Sequence, residues 1–250
     1  MTATEILNDA PVVELRGVTK RYGGITAVDS VSFTVPARSI VALVGDNGAG
    51  KSTISKIIAG AVHPDEGDVL VGGEPRHSID PTEVRRSGIE VVYQDLALAP
   101  NLDVATNLFL GREKVRALGF LDRRAMRREA RELLEQLDVY VPSLSTKVER
   151  LSGGQRQAIA IARATHWAQS LVVMDEPTAA LGLRETRKVE DLMGTLRERG
   201  RSVLVVSHNL DQVFRLSDHI LVMRRGSLVA QFDTAKTSTE EVVATITGVM

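Results

Sequence analysis

GDNGAGKST, residues 45–53, follows the apolar run SIVALV (39–44) and precedes ISKIIAGAV, and its reading decides the fold. It matches the phosphate-loop pattern G-x-x-x-x-G-K-[ST]. The β-branched run ahead of it reads as a buried strand and the segment behind it as a helix, the context this pattern requires. Gly45, Gly48 and Gly50 let the backbone wrap so that successive N–H groups face phosphate oxygens at the helix N-terminus. Lys51 supplies a mobile cation for the β and γ phosphates, and the Ser52 hydroxyl is placed to ligate Mg²⁺. Asn47, Ala49 and Thr53 complete the binding loop.

Around this loop the chain alternates. VVELRGV, VSFTV and SIVALV, punctuated by Gly23, Gly24 and Pro36, read as a small sheet feeding the loop. IEVVY (89–93), LVVM (171–174), SVLVVS (202–207) and HILVM (219–223) are further strands, and the later ones are separated by helix-like segments. Such alternation predicts a parallel sheet flanked by helices, an α/β class. Between Gln94 and Arg163 the strand signal disappears. Met126, Ala130, Leu133 and Leu137 recur at helical spacing behind an N-cap at Asp122, which predicts an inserted helical lobe. The arginines at 123, 124, 127, 128 and 131 fall largely off that stripe and read as a solvated face rather than an anion site.

Composition narrows the function classes. The chain has 250 residues, 43% of them hydrophobic and 25% charged, with a formal net charge of -1 and no cysteine. That balance gives no reason to invoke nucleic acid, and disulfides and thiolate metal sites are excluded. No apolar run approaches the roughly 20 residues of a membrane span, and MTATEILNDAP lacks the regions of a signal peptide. A role at a membrane would need another chain to hold this one there.

Two further segments carry chemistry. LVVMDE (171–176) delivers two carboxylates to the sheet's C-terminal edge, where open α/β sheets bind ligands. Asp175 is expected to hold Mg²⁺ through its water shell, and Glu176 to polarise the water that attacks the γ-phosphate; the alternative is that the pair caps the next helix. In LSGGQRQAIAIARA (151–164), Ser152 can cap the following helix while Gly153 and Gly154 admit an anion. Two anion-binding helix starts in one chain raise the possibility of a nucleotide shared between subunits.

With LSGGQ (151–155) the chain resembles the ATP-binding subunits of ABC transporters, and the resemblance covers nearly its whole length in the family's motif order. It implies a P-loop NTPase (RecA-like) fold: a parallel sheet core, an N-terminal antiparallel β subdomain and an inserted helical lobe. The expected division is an ATPase domain over 12–235, with its core at 12–93 and 166–235 and its lobe at 94–165, between tails at 1–11 and 236–250. By resemblance Tyr22 stacks on adenine, Gln94 links the Mg²⁺ site to the lobe, and His208 contacts the γ-phosphate. Glu176, His208 and Lys51 are then the catalytic residues. Ser152, Gly153, Gly154 and Gln155 face the ATP of a second copy, and Ser52, Gln94 and Asp175 hold Mg²⁺. His63, His77, His166 and His219 match no motif and read as structural or surface residues. Gly182, in AALG (179–182), departs from the family, which usually has an aspartate in this interface-crossing loop.

GIEVVYQDLALAPNLDVATNLFLGRE (88–113) and SHNLDQVFRLSDHILVMRRG (207–226) resemble simple-sugar importers. The resemblance implies a homodimer, transmembrane permease subunits as partners and, indirectly, a sugar-binding protein. It places the chain at the cytoplasmic face of the inner (plasma) membrane as a peripheral subunit, without membrane insertion. The length suggests a single cassette without an accessory C-terminal domain. The alternatives are an ABC ATPase for another solute class, such as amino acids or lipids, and a soluble ABC ATPase.

Overall fold

The computed structural model describes residues 10–75, 81–179 and 181–249; His77, residues 1–9 of the expected tail, Ala180 and Met250 lie outside the described residues. Strands β1 (Val13–Tyr22), β2 (Ile25–Val35), β4 (Glu66–Val71) and β5 (Glu74–Pro75) form an antiparallel sheet in the order β2–β1–β4–β5. Strands β3 (Ile40–Gly45), β6 (Ile89–Val92), β7 (Leu171–Asp175), β8 (Ser202–Val206), β9 (His219–Arg224) and β10 (Ser227–Asp233) form a second sheet, ordered β10–β9–β3–β8–β7–β6. Its neighbours pair in parallel except for the antiparallel β9–β10 hairpin. SIVALV therefore does not belong with the small N-terminal sheet, as its position in the sequence suggested. It is a central strand of the large one, held between β8 and β9.

The reason is burial on both faces. All six residues of β3, and all of β7 and β8, are buried, which only a strand covered on both sides sustains. Alternate residues feed two cores. Ala42, Val44, Val172, Met174, Val203 and Val205 pack toward the helical lobe, while Val41, Leu43, Leu171, Val173, Leu204 and Val206 pack toward the antiparallel sheet. Full burial of each valine or leucine contributes about 1.5–3 kcal/mol, so slipping β3 by one residue would exchange both sets at once.

The helices are α1 (Lys51–Ile58), α2 (Pro81–Arg86), α3 (Val104–Leu108), α4 (Arg123–Gln136), α5 (Gly153–Trp167), α6 (Leu183–Glu198), α7 (Leu210–Leu216) and α8 (Thr239–Thr247). In the lobe, Asp122 caps α4 by accepting from the Ala125 N–H, Met126, Ala130 and Leu133 are buried, and the five arginines are exposed. Asn107, fully buried, accepts from the Ala99 N–H and donates to the carbonyls of Ala99, Leu102 and Asp103, which fixes the chain ahead of α3. His166 packs edge-on against Phe109 and Trp167 and lies 3.0 Å from Glu129, a structural place as expected. Within the 236–250 segment expected as a tail, helix α8 is capped by Ser238 and anchored by buried Val242.

Candidate functional site

The C-terminal edge of the large sheet gathers three loops. Register pairs both Leu43 of β3 and Asp175 of β7 with Val206 at the end of β8, so the segments after β3, β7 and β8 emerge side by side. The first is the 45–53 loop. Gly45 has φ +145°, and an ideal Cβ there would lie 2.1 Å from the Met223 carbonyl oxygen; Gly50 has φ +99°, and its Cβ would lie 2.4 Å from the Ala27 carbonyl oxygen. Neither position admits a side chain, in conformation or in space. Gly50 is also the N-cap of α1 and provides no side-chain cap, so the first N–H groups of that helix remain for an external acceptor.

Lys51 is buried, and its Nζ donates to the carbonyls of Gly45 at 2.7 Å and Asp46 at 2.8 Å. Two of three ammonium donors are thereby used to shape the loop, and one is left for an anion. Burial pushes the Lys51 ammonium below its ordinary pKa, against the pull of Glu176, Asp175 and Asp46. Asp175 is held above its ordinary value, first by burial and then by adjacent Glu176, although the Ser52 hydroxyl hydrogen-bonds its carboxylate.

Glu176 follows at φ +49°, a left-handed conformation uncommon for a non-glycine residue, with its N–H donating to the Val206 carbonyl at 3.0 Å. Its Oε1 lies 3.2 Å from Nδ1 of His208. Tyr22, Asn47, Gly48, Ala49, Gly50, Lys51, Ser52, Thr53, Gln94 and Glu176 line one cavity of about 530 Å³. Gly45, Asn47, Glu176 and His208 line its neighbour, of about 450 Å³. At the outer rim Tyr22 pairs with Ile25 across the β1–β2 turn, and both are exposed.

Ser152, Gly154 and Gln155 line a different cavity, of about 520 Å³, together with Tyr140 and Glu185. There Ser152 caps α5 in a capping box: its Oγ accepts from the Gln155 N–H, and the Gln155 side chain accepts from the Ser152 N–H. Within one chain, then, the signature lines none of the cavity formed by the phosphate loop.

Two positioning residues escaped the sequence reading. Arg163 donates to the carbonyls of Ala97 at 2.9 Å and Leu96 at 3.2 Å, both left-handed residues of the loop that follows Gln94. This ties that loop to α5. Gln212, buried, accepts from the hydroxyls of Thr178 and Ser207, and so joins the loop after Glu176 to the loop bearing His208. The spacing of Asn209 and Gln212, an N-x-x-Q helix start, was the available signal; Asn209 does cap α7.

Comparison with known proteins agrees with this geometry. Residues 28–179 match the ABC transporter family. Among relatives, the chain is 42% identical over 237 residues to the xylose/arabinose import ATP-binding protein XylG of Sulfolobus acidocaldarius, covering 95% of this chain and 94% of that one. It is 44% identical over 246 residues to the fructose import ATP-binding protein FrcA of Rhizobium meliloti, with 95% and 94% covered. Against the ribose import ATP-binding protein RbsA 2 of Rubrobacter xylanophilus it is 45% identical over 239 residues, but spans only 46% of that longer chain. The ATP-binding cassette MJ0796, solved as a post-hydrolysis dimer with ADP and Pi, superimposes with a TM-score of 0.78 at 28% identity, covering 89% of this chain and 98% of that one. The chain belongs to the ABC transporter family and is an ATP-hydrolysing cassette.

Proposed function

We propose that two copies of this chain hydrolyse ATP in sites they share, and that hydrolysis energises uptake of a simple sugar through a membrane permease. The observation that carries the shared site is the separation of the phosphate loop from the Ser152 signature into different cavities of one chain. A head-to-tail pair brings the loop of one copy against the signature of the other. The MJ0796 cassette, solved as a dimer with ADP and Pi, supports a pair of copies as the working unit.

In each site the adenine stacks on Tyr22, with Ile25 beside it extending the apolar shelf. Backbone N–H groups of 48–53 and the remaining Lys51 donor hold the phosphates. Ser52, Asp175 and Gln94 offer only oxygen donors, the set a hard cation takes, and a buried carboxylate held above its ordinary pKa gains from a cation beside it; the three fit Mg²⁺. Mg²⁺ held by these three residues would supply positive charge to offset that of the phosphate oxygens. Glu176 orients and deprotonates the attacking water, while His208 holds the Glu176 carboxylate in place and reaches the γ-phosphate. Closure excludes water from the γ-phosphate.

The loop after Gln94 borders a groove of about 320 Å³ lined by Arg85, Tyr93, Ala97, Leu110, Arg112 and Trp167, among others. Arg112 pairs with Glu90 at 2.6 Å and lies 4.8 Å over the Trp167 ring, which braces the groove wall. Arg163, which lines the groove, holds the 96–97 backbone just beyond Gln94 of the site, and we assign the groove to a permease segment. No helix among the described residues is long and apolar enough to cross a membrane; the likeness to import ATP-binding proteins is what supports a peripheral subunit at the cytoplasmic face.

The two near full-length sugar-import relatives favour a simple sugar as cargo. The test is uptake of radiolabelled ribose, xylose, galactose and fructose after deletion of the gene. Loss of one or more is expected. Unchanged uptake of all four, with loss of amino-acid uptake instead, would move the assignment to another solute class.

A further inference from the structure

The loop ahead of α4 doubles back on itself. Val115 and Leu121 pair as an antiparallel bridge, the Arg116 N–H donates to the Phe120 carbonyl at 2.7 Å, and the Asp122 N–H to the Lys114 carbonyl at 2.7 Å. A single 3₁₀ turn, Ala117–Gly119, closes it. The turn is held by its own backbone, and what it holds out is apolar: Val115 is 62% exposed, Phe120 70% and Leu121 47%. One exposed leucine on a protein surface needs no explanation, but three large apolar side chains on one short turn do.

The surroundings of this turn are basic. Residues 112–136 hold eight lysines and arginines against five acids, in a chain whose formal net charge is -1. Two of those acids are engaged locally: Asp122 pairs with Arg116 at 2.9 Å and caps α4, and Glu129 pairs with Lys114 and His166. Arg123, Arg124, Arg128 and Arg131 make no ion pair among the described residues, and Arg127 has only a 3.7 Å contact with Asp103. At 3.6 residues per turn the five arginines of α4 occupy an arc of about 140°, and the first two follow the apolar turn at once.

A solvated helix face accounts for arginines without partners. It does not account for Val115, Phe120 and Leu121 raised beside them. A soluble polyanion would engage the arginines and leave the apolar turn in water. A bilayer surface engages both, because it presents phosphates directly above hydrocarbon, and arginine stems lie along apolar surface while their guanidinium groups reach phosphate.

We propose that the 115–121 turn and the arginine face of α4 form a contact with anionic lipid. Phe120, flanked by Val115 and Leu121, sits at headgroup depth, and Arg123, Arg124, Arg127, Arg128 and Arg131 face headgroup phosphates. Leu110 and Arg112, on the wall of the groove assigned to the permease, lie just ahead of this turn in the chain, so the two contacts adjoin. That a membrane is at hand rests on the uptake reading above; the contact itself is shallow, peripheral and needs no permease. Its role is to hold the lobe against the membrane.

The test is flotation of the purified full chain with vesicles of phosphatidylcholine, with and without phosphatidylglycerol. Binding is expected only where phosphatidylglycerol is present, and it falls as salt is added. Phe120→Ser weakens it about tenfold, and Arg124→Gln combined with Arg128→Gln about thirtyfold, while Phe120→Trp retains it. ATP turnover of the isolated chain and melting temperature stay at the wild-type level in all three, since these side chains are exposed and line no cavity of the ATP site. No binding to the anionic vesicles, or binding left unchanged by either Phe120→Ser or the arginine pair, overturns the proposal. So does loss of sugar uptake in cells carrying Phe120→Ser when its vesicle binding is native, which gives the turn to the permease instead. Vesicle binding as expected, together with unchanged uptake of all four sugars after gene deletion, supports the lipid contact and overturns only the cargo assignment.

Discussion

Nδ1 of His208 lies 3.2 Å from Oε1 of Glu176, joining the loop after β8 to the loop after β7 across the edge where the phosphate loop begins. A glutamine at 176 keeps the shape and a hydrogen-bonding oxygen for His208 but cannot accept a proton. Glu176→Gln is therefore expected to retain ATP binding while phosphate release falls by about 10²–10⁴-fold, the usual contribution of a positioned base. Steady-state phosphate release beside equilibrium nucleotide binding checks this, and turnover near wild type would remove Glu176 from the role.

Burial holds the Asp175 carboxyl above its ordinary value of 3.8. With the folded-state pKa raised, the unfolded chain gives up this proton first. The group's stabilisation is complete below the ordinary value and is lost as pH rises through the folded one. Asp175→Asn removes that loss. In nucleotide-free protein treated with a chelator, the variant is expected to melt above wild type at neutral pH, with the difference shrinking as pH falls toward the ordinary carboxylate range. Its Mg²⁺-dependent phosphate release should vanish. A wild type that melts above the variant at neutral pH contradicts the account.

Leu110 is 41% exposed on the wall of the groove beside Arg112 and Trp167. An acid in place of this exposed leucine disturbs the groove wall and its arginines without reaching the phosphate loop. Leu110→Glu should leave ATPase of the isolated subunit largely intact and abolish sugar uptake in cells. Uptake at the native level would place the permease contact elsewhere.

What was legible in the sequence was local. The phosphate loop between a strand and a helix, the acids ending LVVMDE, and the Ser152 cap with Gln155 three residues on are each written within a dozen residues. Their chemistry and conformation share one stretch of chain. Strands β4 and β10 were not read, because both are largely unburied and show no apolar run like that of β3. SIVALV was grouped by sequence neighbourhood, whereas its partners β8 and β9 come from the far end of the chain. The Arg163 grip on Leu96 and Ala97 spans 66 and 67 residues, and nothing near Arg163 in the helix distinguishes it from a solvated arginine.

The central claim is that each ATP site draws the phosphate loop from one chain and the Ser152 signature from another. The most direct measurement mixes two inactive variants: Lys51→Ala, which disables the loop, and Ser152→Arg, which blocks the signature. In a mixed dimer one composite site carries both lesions and the other carries neither, so ATP turnover absent from each variant alone is expected to return on mixing. No recovery across mixing ratios in which mixed dimers are shown to form, or full activity in a strictly monomeric wild type, would contradict the account.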